Sequence, residues 1–124
     1  MKTVVIVDDK ALMRKALCRL FKTAGDFEVC GEAASGREAI EVARKVLPDL
    51  IVLDLCMPEM NGLETARKLR SLKLPCRTIL YSLHAEDMAA NEAVLAGVAA
   101  VVSKAEGVTT LISKARTVLG QTAA

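Results

Sequence analysis

The chain has 124 residues, 52% hydrophobic and 26% charged, which fits one compact domain with an ample core and does not fit disorder. Its 17 basic and 15 acidic residues leave a net charge of +2. Those charges are scattered rather than striped and aromatics make up 2%, so direct nucleic-acid binding is not expected. No apolar run approaches bilayer length, and the short run in MKTVVIVDDK is cut off by two acids, too early for a signal-peptide core. A cytoplasmic chain without membrane contact is the expectation.

Strand and helix alternate five times. Residues 3–7 (TVVIV) read as a strand covered on both faces. Met13, Leu17, Leu20, Phe21 and Ala24 recur at helical spacing, and Gly25-Asp26 ends that helix. Residues 27–33 form a second, weaker strand. Ser35 and Glu38 form a predicted capping box for a helix burying Ala39, Ile40, Ala43, Val46 and Leu47, which Pro48 stops. Residues 50–53 (LIVL) are the third strand, followed by a loop holding Asp54, Pro58, Asn61 and Gly62. Asn61 with Glu64 can cap a third helix presenting Leu63, Ala66 and Leu69.

Residues 78–81 are a fourth strand, and residues 85–96 a fourth helix with Gly97 as its C-cap. That helix is alanine-rich, with only Met88, Val94 and Leu95 as bulky apolar residues, so loose packing and motion are expected of it. Residues 98–102 are the fifth strand. Leu111, Ile112, Ala115, Val118 and Leu119 mark the last helix, ended by Gly120. The pattern predicts an α/β fold, a parallel sheet with helices on both faces. The domain is expected over residues 1–120, with residues 121–124 a frayed tail.

Function in open α/β sheets gathers at the carboxyl ends of strands. Those ends carry Asp8 and Asp9, Asp54, Ser82 and Lys104; the second strand ends in Ala33-Ala34-Ser35, without an acid. If the first and third strands are neighbours, three carboxylates converge. Each pair ~5 Å apart repels by roughly 3 kcal/mol at an effective dielectric of about 20. A divalent cation would offset that, and Mg²⁺ suits because it accepts carboxylates and keeps waters for a phosphate. Lys104 and Ser82 add a cation and a hydroxyl around a tetrahedral anion. With no Ser-His or Cys-His pair evident, Asp54 is the candidate nucleophile for a phosphoryl group.

These residues carry a resemblance. VDD (7–9), LDLCMPEMNG (53–62), Ser82 and Lys104 are similar, in order and spacing, to the receiver domains of bacterial two-component response regulators, from Lys2 to about Leu119. The resemblance implies a doubly wound (βα)5, flavodoxin-like three-layer sandwich with strand order 2-1-3-4-5. It implies Asp54 as phosphoacceptor, Asp9 as direct Mg²⁺ ligand, Asp8 acting largely through water, and the backbone carbonyl of Cys56 as the third protein oxygen. Lys104 matches the lysine that pairs with the acceptor, Ser82 the switch hydroxyl, and Pro58 and Gly62 the turn beside the metal. A sensor histidine kinase or phosphotransfer protein would be the donor. Phosphorylation would alter the surface of the fourth helix, fifth strand and last helix, read by a downstream protein or by a C-terminal DNA-binding domain outside this chain. Homodimerisation is left open. The domain would catalyse its own modification rather than act on an outside substrate.

Three positions depart from the family pattern: Val101 stands where a switch aromatic is usual, Ala105 where proline follows the lysine, and Leu83 where a small residue follows the hydroxyl. Several residues have plainer readings. Acids after a strand also cap helices. Cys18, Cys30, Cys56 and Cys76 lack CxxC spacing and read as incidental thiols, and Met57 and Met60 as loop packing. His84 reads as an exposed loop residue near the site, and Arg14 as part of a solvated helix face. Val101 and Val102 are a candidate apolar interface. Two other function classes stay open: a receiver-like interaction module independent of phosphorylation, and an aspartyl-nucleophile phosphohydrolase. The latter usually has an acid where Cys56 stands.

Overall fold

Val4, Val5, Ile6 and Val7 are all buried, as expected of a strand covered on both faces. The computed structural model describes residues 1–83, Glu92 and 96–120. Its strands are β1 (Lys2–Val7), β2 (Phe27–Ala33), β3 (Leu50–Leu53), β4 (Arg77–Ser82) and β5 (Ala100–Ser103); its helices are α1 (Ala11–Ala24), α2 (Gly36–Val46), α3 (Gly62–Ser71) and α4 (Val108–Val118). The strands form one sheet in the order β2-β1-β3-β4-β5, and every pairing is parallel. This is the doubly wound order that the resemblance implied. Among the described residues, no helix is long and apolar enough to cross a membrane.

Side chains alternate across a strand, so each strand feeds two cores. Val4, Ile6, Leu50, Val52, Ile79 and Tyr81 face Leu17, Phe21, Leu111 and Ala115 of α1 and α4. Phe21 meets Phe27 edge-on, with ring centroids 5.0 Å apart. Val5, Val7, Ile51, Leu53 and Leu80 face Ala39, Ala43, Leu63, Ala66 and Leu69 of α2 and α3.

Helix starts and stops follow the local chemistry. Gly25 takes the left-handed conformation (φ 89°) that closes α1. The Asn61–Glu64 capping box forms in full at α3. At α2 only half of the predicted box forms among the described contacts: Glu38 N–H donates to Ser35 Oγ at 3.1 Å.

Three expectations need correction. Val46 and Leu47 are exposed, 40% and 54%: α2 buries Ala39 and Ala43 with Val42 partly packed, and Leu47, ahead of Pro48, adopts a left-handed turn (φ 46°) that leaves the helix stripe. The fifth strand starts at Ala100, not at residue 98, because Val98 packs on the core from the approaching loop before the ladder begins at the Ile79–Ala100 pair. Val102 is fully buried in the α1/α4 core, so it offers no apolar interface; Val101 is partly buried on the other face. The helix expected over residues 85–96 lies outside the described residues except for Glu92 and Ala96, and so do His84 and the tail 121–124.

Candidate functional site

Register brings the acids together. Val7 of β1 pairs with Leu53 of β3, so Asp8 and Asp54 leave adjacent strands at the same height. Asp54 N–H donates to the Val7 carbonyl at 3.0 Å, and Asp8 N–H to that of Ala33 at 3.1 Å. One carboxylate oxygen from each of Asp8, Asp9 and Asp54 lies within 4.8 Å of the others. Asp8 and Asp54 are buried, and Asp9 is half-buried.

Lys104 begins a short 3-10 turn after β5. Ser103 Oγ accepts from Ala105 N–H at 3.2 Å, and Glu106 reaches back to Ser103 N–H at 2.8 Å. This cap fixes where the lysine leaves the chain. Its ammonium, nearly buried, stands 3.5 Å from both Asp8 Oδ2 and Asp54 Oδ1, and 5.7 Å from the Tyr81 ring centroid. Ser82 closes β4, buried, in register with Ser103. Asp8, Asp9, Asp54, Ser82 and Lys104, the residues singled out at the strand ends, therefore share one edge of the sheet. Cys56 lies just beyond Asp54, its side chain exposed and its N–H 3.4 Å from Asp54 Oδ1.

Burial pushes the Asp54 carboxyl above its ordinary 3.8, and Asp8 adds to this against the pull of Lys104 and Lys10. Asp8 Oδ2, Asp9 Oδ1 and Asp54 Oδ2 are buried and accept no hydrogen bond. Three carboxylates converging this closely, each with a buried oxygen that accepts no hydrogen bond, fit a small divalent cation, Mg²⁺ above all. Soft-metal chemistry does not fit, since the neighbouring Cys56 is exposed and stands outside the acid cluster.

The geometry also contains groups that strand-end reasoning missed. Lys10, directly after the acid pair, reaches Asp9 Oδ1 at 3.5 Å and Asp54 Oδ2 at 3.7 Å. Its adjacency to Asp9 was the available signal. Arg14 is not a solvated residue. Its side chain is 17% exposed, its Nη1 donates to the Asp8 carbonyl at 2.8 Å, and its Nε donates to Glu32 at 3.2 Å. A helix turn after the acid loop points this guanidinium back at the loop. Glu32, on edge strand β2, also receives Lys15.

The departures resolve simply. Lys104–Glu106 forms the 3-10 turn with Ala105 inside it, and no described peptide bond is cis. Leu83 is 62% exposed, a surface residue at the end of β4. Met57 is buried, and Met60 packs beside Gly36. Gly62 is required by close approach: a Cβ there would meet the Asp54 carbonyl at 2.5 Å and Leu55 Cα at 2.9 Å.

A five-stranded parallel sheet with clustered acids and a buried lysine at its carboxyl edge defines a receiver-type signalling domain. The chain belongs to the response regulator receiver domain family, whose model matches residues 4–116. It is 44% identical over 88 residues to the nitrate/nitrite response regulator protein NarL of Escherichia coli K12, covering 69% of this chain and 41% of that protein. It is 38% identical over 96 residues to the chemotaxis protein CheY of Thermotoga maritima, covering 77% and 79%. The response regulator domain of Thermotoga maritima CheB superposes with a TM-score of 0.87 at 32% identity, covering 97% of each chain. The chain spans about two fifths of the NarL protein it matches. Receiver domains are mostly signalling switches, and they typically hold Mg²⁺ in an acidic pocket.

Proposed function

We propose that residues 1–120 form a phosphoacceptor switch of a two-component system, in which Asp54 takes a phosphoryl group from a histidine kinase or phosphotransfer protein. The observation that carries this is the convergence of three carboxylates, each with a buried oxygen that accepts no hydrogen bond, beside the nearly buried side chain of Lys104. Asp8, Asp9, Asp54 and the Cys56 carbonyl would hold Mg²⁺, which when bound supplies neutralising charge for the carboxylates and the phosphoryl oxygens. An Asp54 oxygen forms the new bond to phosphorus, and the donor's leaving atom departs with the electron pair of the bond that breaks. Lys104 keeps its charge beside Asp54 Oδ1 and stabilises the extra negative charge of the product. Ser82 donates its hydroxyl to a phosphoryl oxygen.

The new charge biases a two-state equilibrium by drawing Ser82 and Lys104 inward. The changed surface, reaching from β5 to α4, is read by a downstream protein or by a DNA-binding domain outside this chain. The protein modifies itself rather than an outside substrate, in the cytoplasm.

The test is incubation with a small acyl phosphate, with and without Mg²⁺, followed by intact-mass measurement. One added phosphoryl group is expected, dependent on Mg²⁺ and absent in Asp54→Asn. Labelling that persists in Asp54→Asn, or turnover of the donor far beyond one equivalent without a labelled protein, would refute the reading.

A further inference from the structure

The acidic pocket already holds a largely exposed cation of its own. Lys10 Nζ stands at Asp9 Oδ1 and Asp54 Oδ2, two of the three buried oxygens that accept no hydrogen bond. Lys104 takes the other Asp54 oxygen, Oδ1, together with Asp8 Oδ2. The two ammoniums thus divide Asp54, one oxygen each. They differ in freedom: the Lys104 side chain is 8% exposed and the Lys10 side chain 61%, on a flexible four-carbon stem that can swing out to water.

Position 10 is also a poor place for a lysine on helix grounds alone. It is the N-cap of α1, makes no side-chain capping bond, and has no acid in the first turn of the helix. Ser, Thr, Asp or Asn would be preferred there, and a cation is disfavoured by the helix dipole. The backbone at this point is nevertheless held by the site, because Lys10 N–H donates to Asp8 Oδ1 at 2.8 Å. That bond sets the stem over the gap between Asp9 and Asp54.

We infer that Lys10 is a built-in counter-ion that occupies the Asp9–Asp54 gap and must be displaced when a divalent cation enters it. This rests on the metal site proposed above and adds its regulation. The lysine holds the metal-free site together and lowers its apparent affinity for metal, so occupancy becomes sensitive to the free Mg²⁺ level.

The test is a calorimetric Mg²⁺ titration of the wild type, Lys10→Met and Lys10→Arg at low ionic strength. Lys10→Met should bind Mg²⁺ about two- to fivefold more tightly, the range expected for removing one mostly exposed competing charge. Lys10→Arg should stay within about twofold of the wild type. Added NaCl should shrink the Lys10→Met difference through screening. Equal or weaker binding by Lys10→Met, with the wild type binding normally, overturns the counter-ion inference and leaves the metal site standing. A wild type that binds no Mg²⁺ overturns both.

Discussion

Replacing the buried acid at the centre of the site should stabilise the metal-free fold. In Asp54→Asn, the attraction to Lys104 at 3.5 Å is lost, about 5 kcal/mol at an effective dielectric of about 20. The pair with mostly exposed Lys10 adds no more than about 1 kcal/mol once solvent screening is counted. Against this, two repulsions disappear, from Asp8 and Asp9 within 4.8 Å, each about 3 kcal/mol at the same dielectric. The Coulomb terms nearly cancel, so burial decides. Asp54 is 3% exposed, and a desolvated carboxylate costs several kcal/mol more than a neutral amide. Lys104 keeps Asp8 as a partner, so the substitution does not strand it.

The net gain in chelator should be about 1–2 kcal/mol, a rise of roughly 3–10 °C in Tm for a domain of this size. The pH dependence follows from the raised Asp54 pKa. The folded state holds this proton more tightly than the unfolded chain, so wild-type stability falls as pH rises from 3.8 through the raised folded value. Asp54→Asn lacks that contribution. Calorimetric unfolding in chelator across this range measures both, and Mg²⁺ should then narrow the gap by stabilising the wild type more than the variant, which lacks one of the acids. A variant that melts lower in chelator, with the same pH slope as the wild type, refutes the crowded-carboxylate account.

Two further substitutions probe the frame around the acids. Gly62→Ala forces a methyl into the Asp54 carbonyl and Leu55 Cα, backbone that cannot rotate away; a loss of about 2–4 kcal/mol in denaturant unfolding is expected, and a cost under about 0.5 kcal/mol would show that the loop gives. Arg14→Met removes the bond to the Asp8 carbonyl, a charge-assisted contact worth about 1–3 kcal/mol. It should also weaken Mg²⁺ binding by loosening the acid loop, and unchanged stability together with unchanged affinity would show that the guanidinium is a bystander.

How much of this was legible from sequence divides along physical lines. Strands buried on both faces announce themselves as unbroken apolar runs, which is why 50–53 (LIVL) was read to the residue. The acids were legible because chain connectivity puts them directly after such runs. Side-chain reach is a different matter. Arg14 lies four residues beyond Lys10 on the helix, and only the observed orientation of α1 turns it back onto the Asp8 carbonyl. Val102 looked available because a strand's apolar residues carry no mark of which face is covered; packing of Leu111 and Ala115 onto the sheet settles that. Leu47 shows the same limit, since its left-handed backbone removes it from a stripe that spacing alone would extend.

Charge balance ties the two proposals together. Three ionised carboxylates and two ammoniums leave the metal-free site with one net negative charge. On the proposed reading, Mg²⁺ with Lys10 still nearby makes the site net positive by one, attractive to an anionic phosphoryl donor. Phosphorylation replaces one negative charge on Asp54 by about two, which brings the balance close to zero. Without Lys10 the same sequence runs from two negative charges, through neutrality, to one negative charge. The lysine therefore opposes metal entry yet favours the later transfer of the phosphoryl group. Lys10→Met should accordingly bind Mg²⁺ more tightly while accepting phosphoryl groups more slowly at saturating Mg²⁺, an inverse pairing that simple loss of a surface ion pair would not produce.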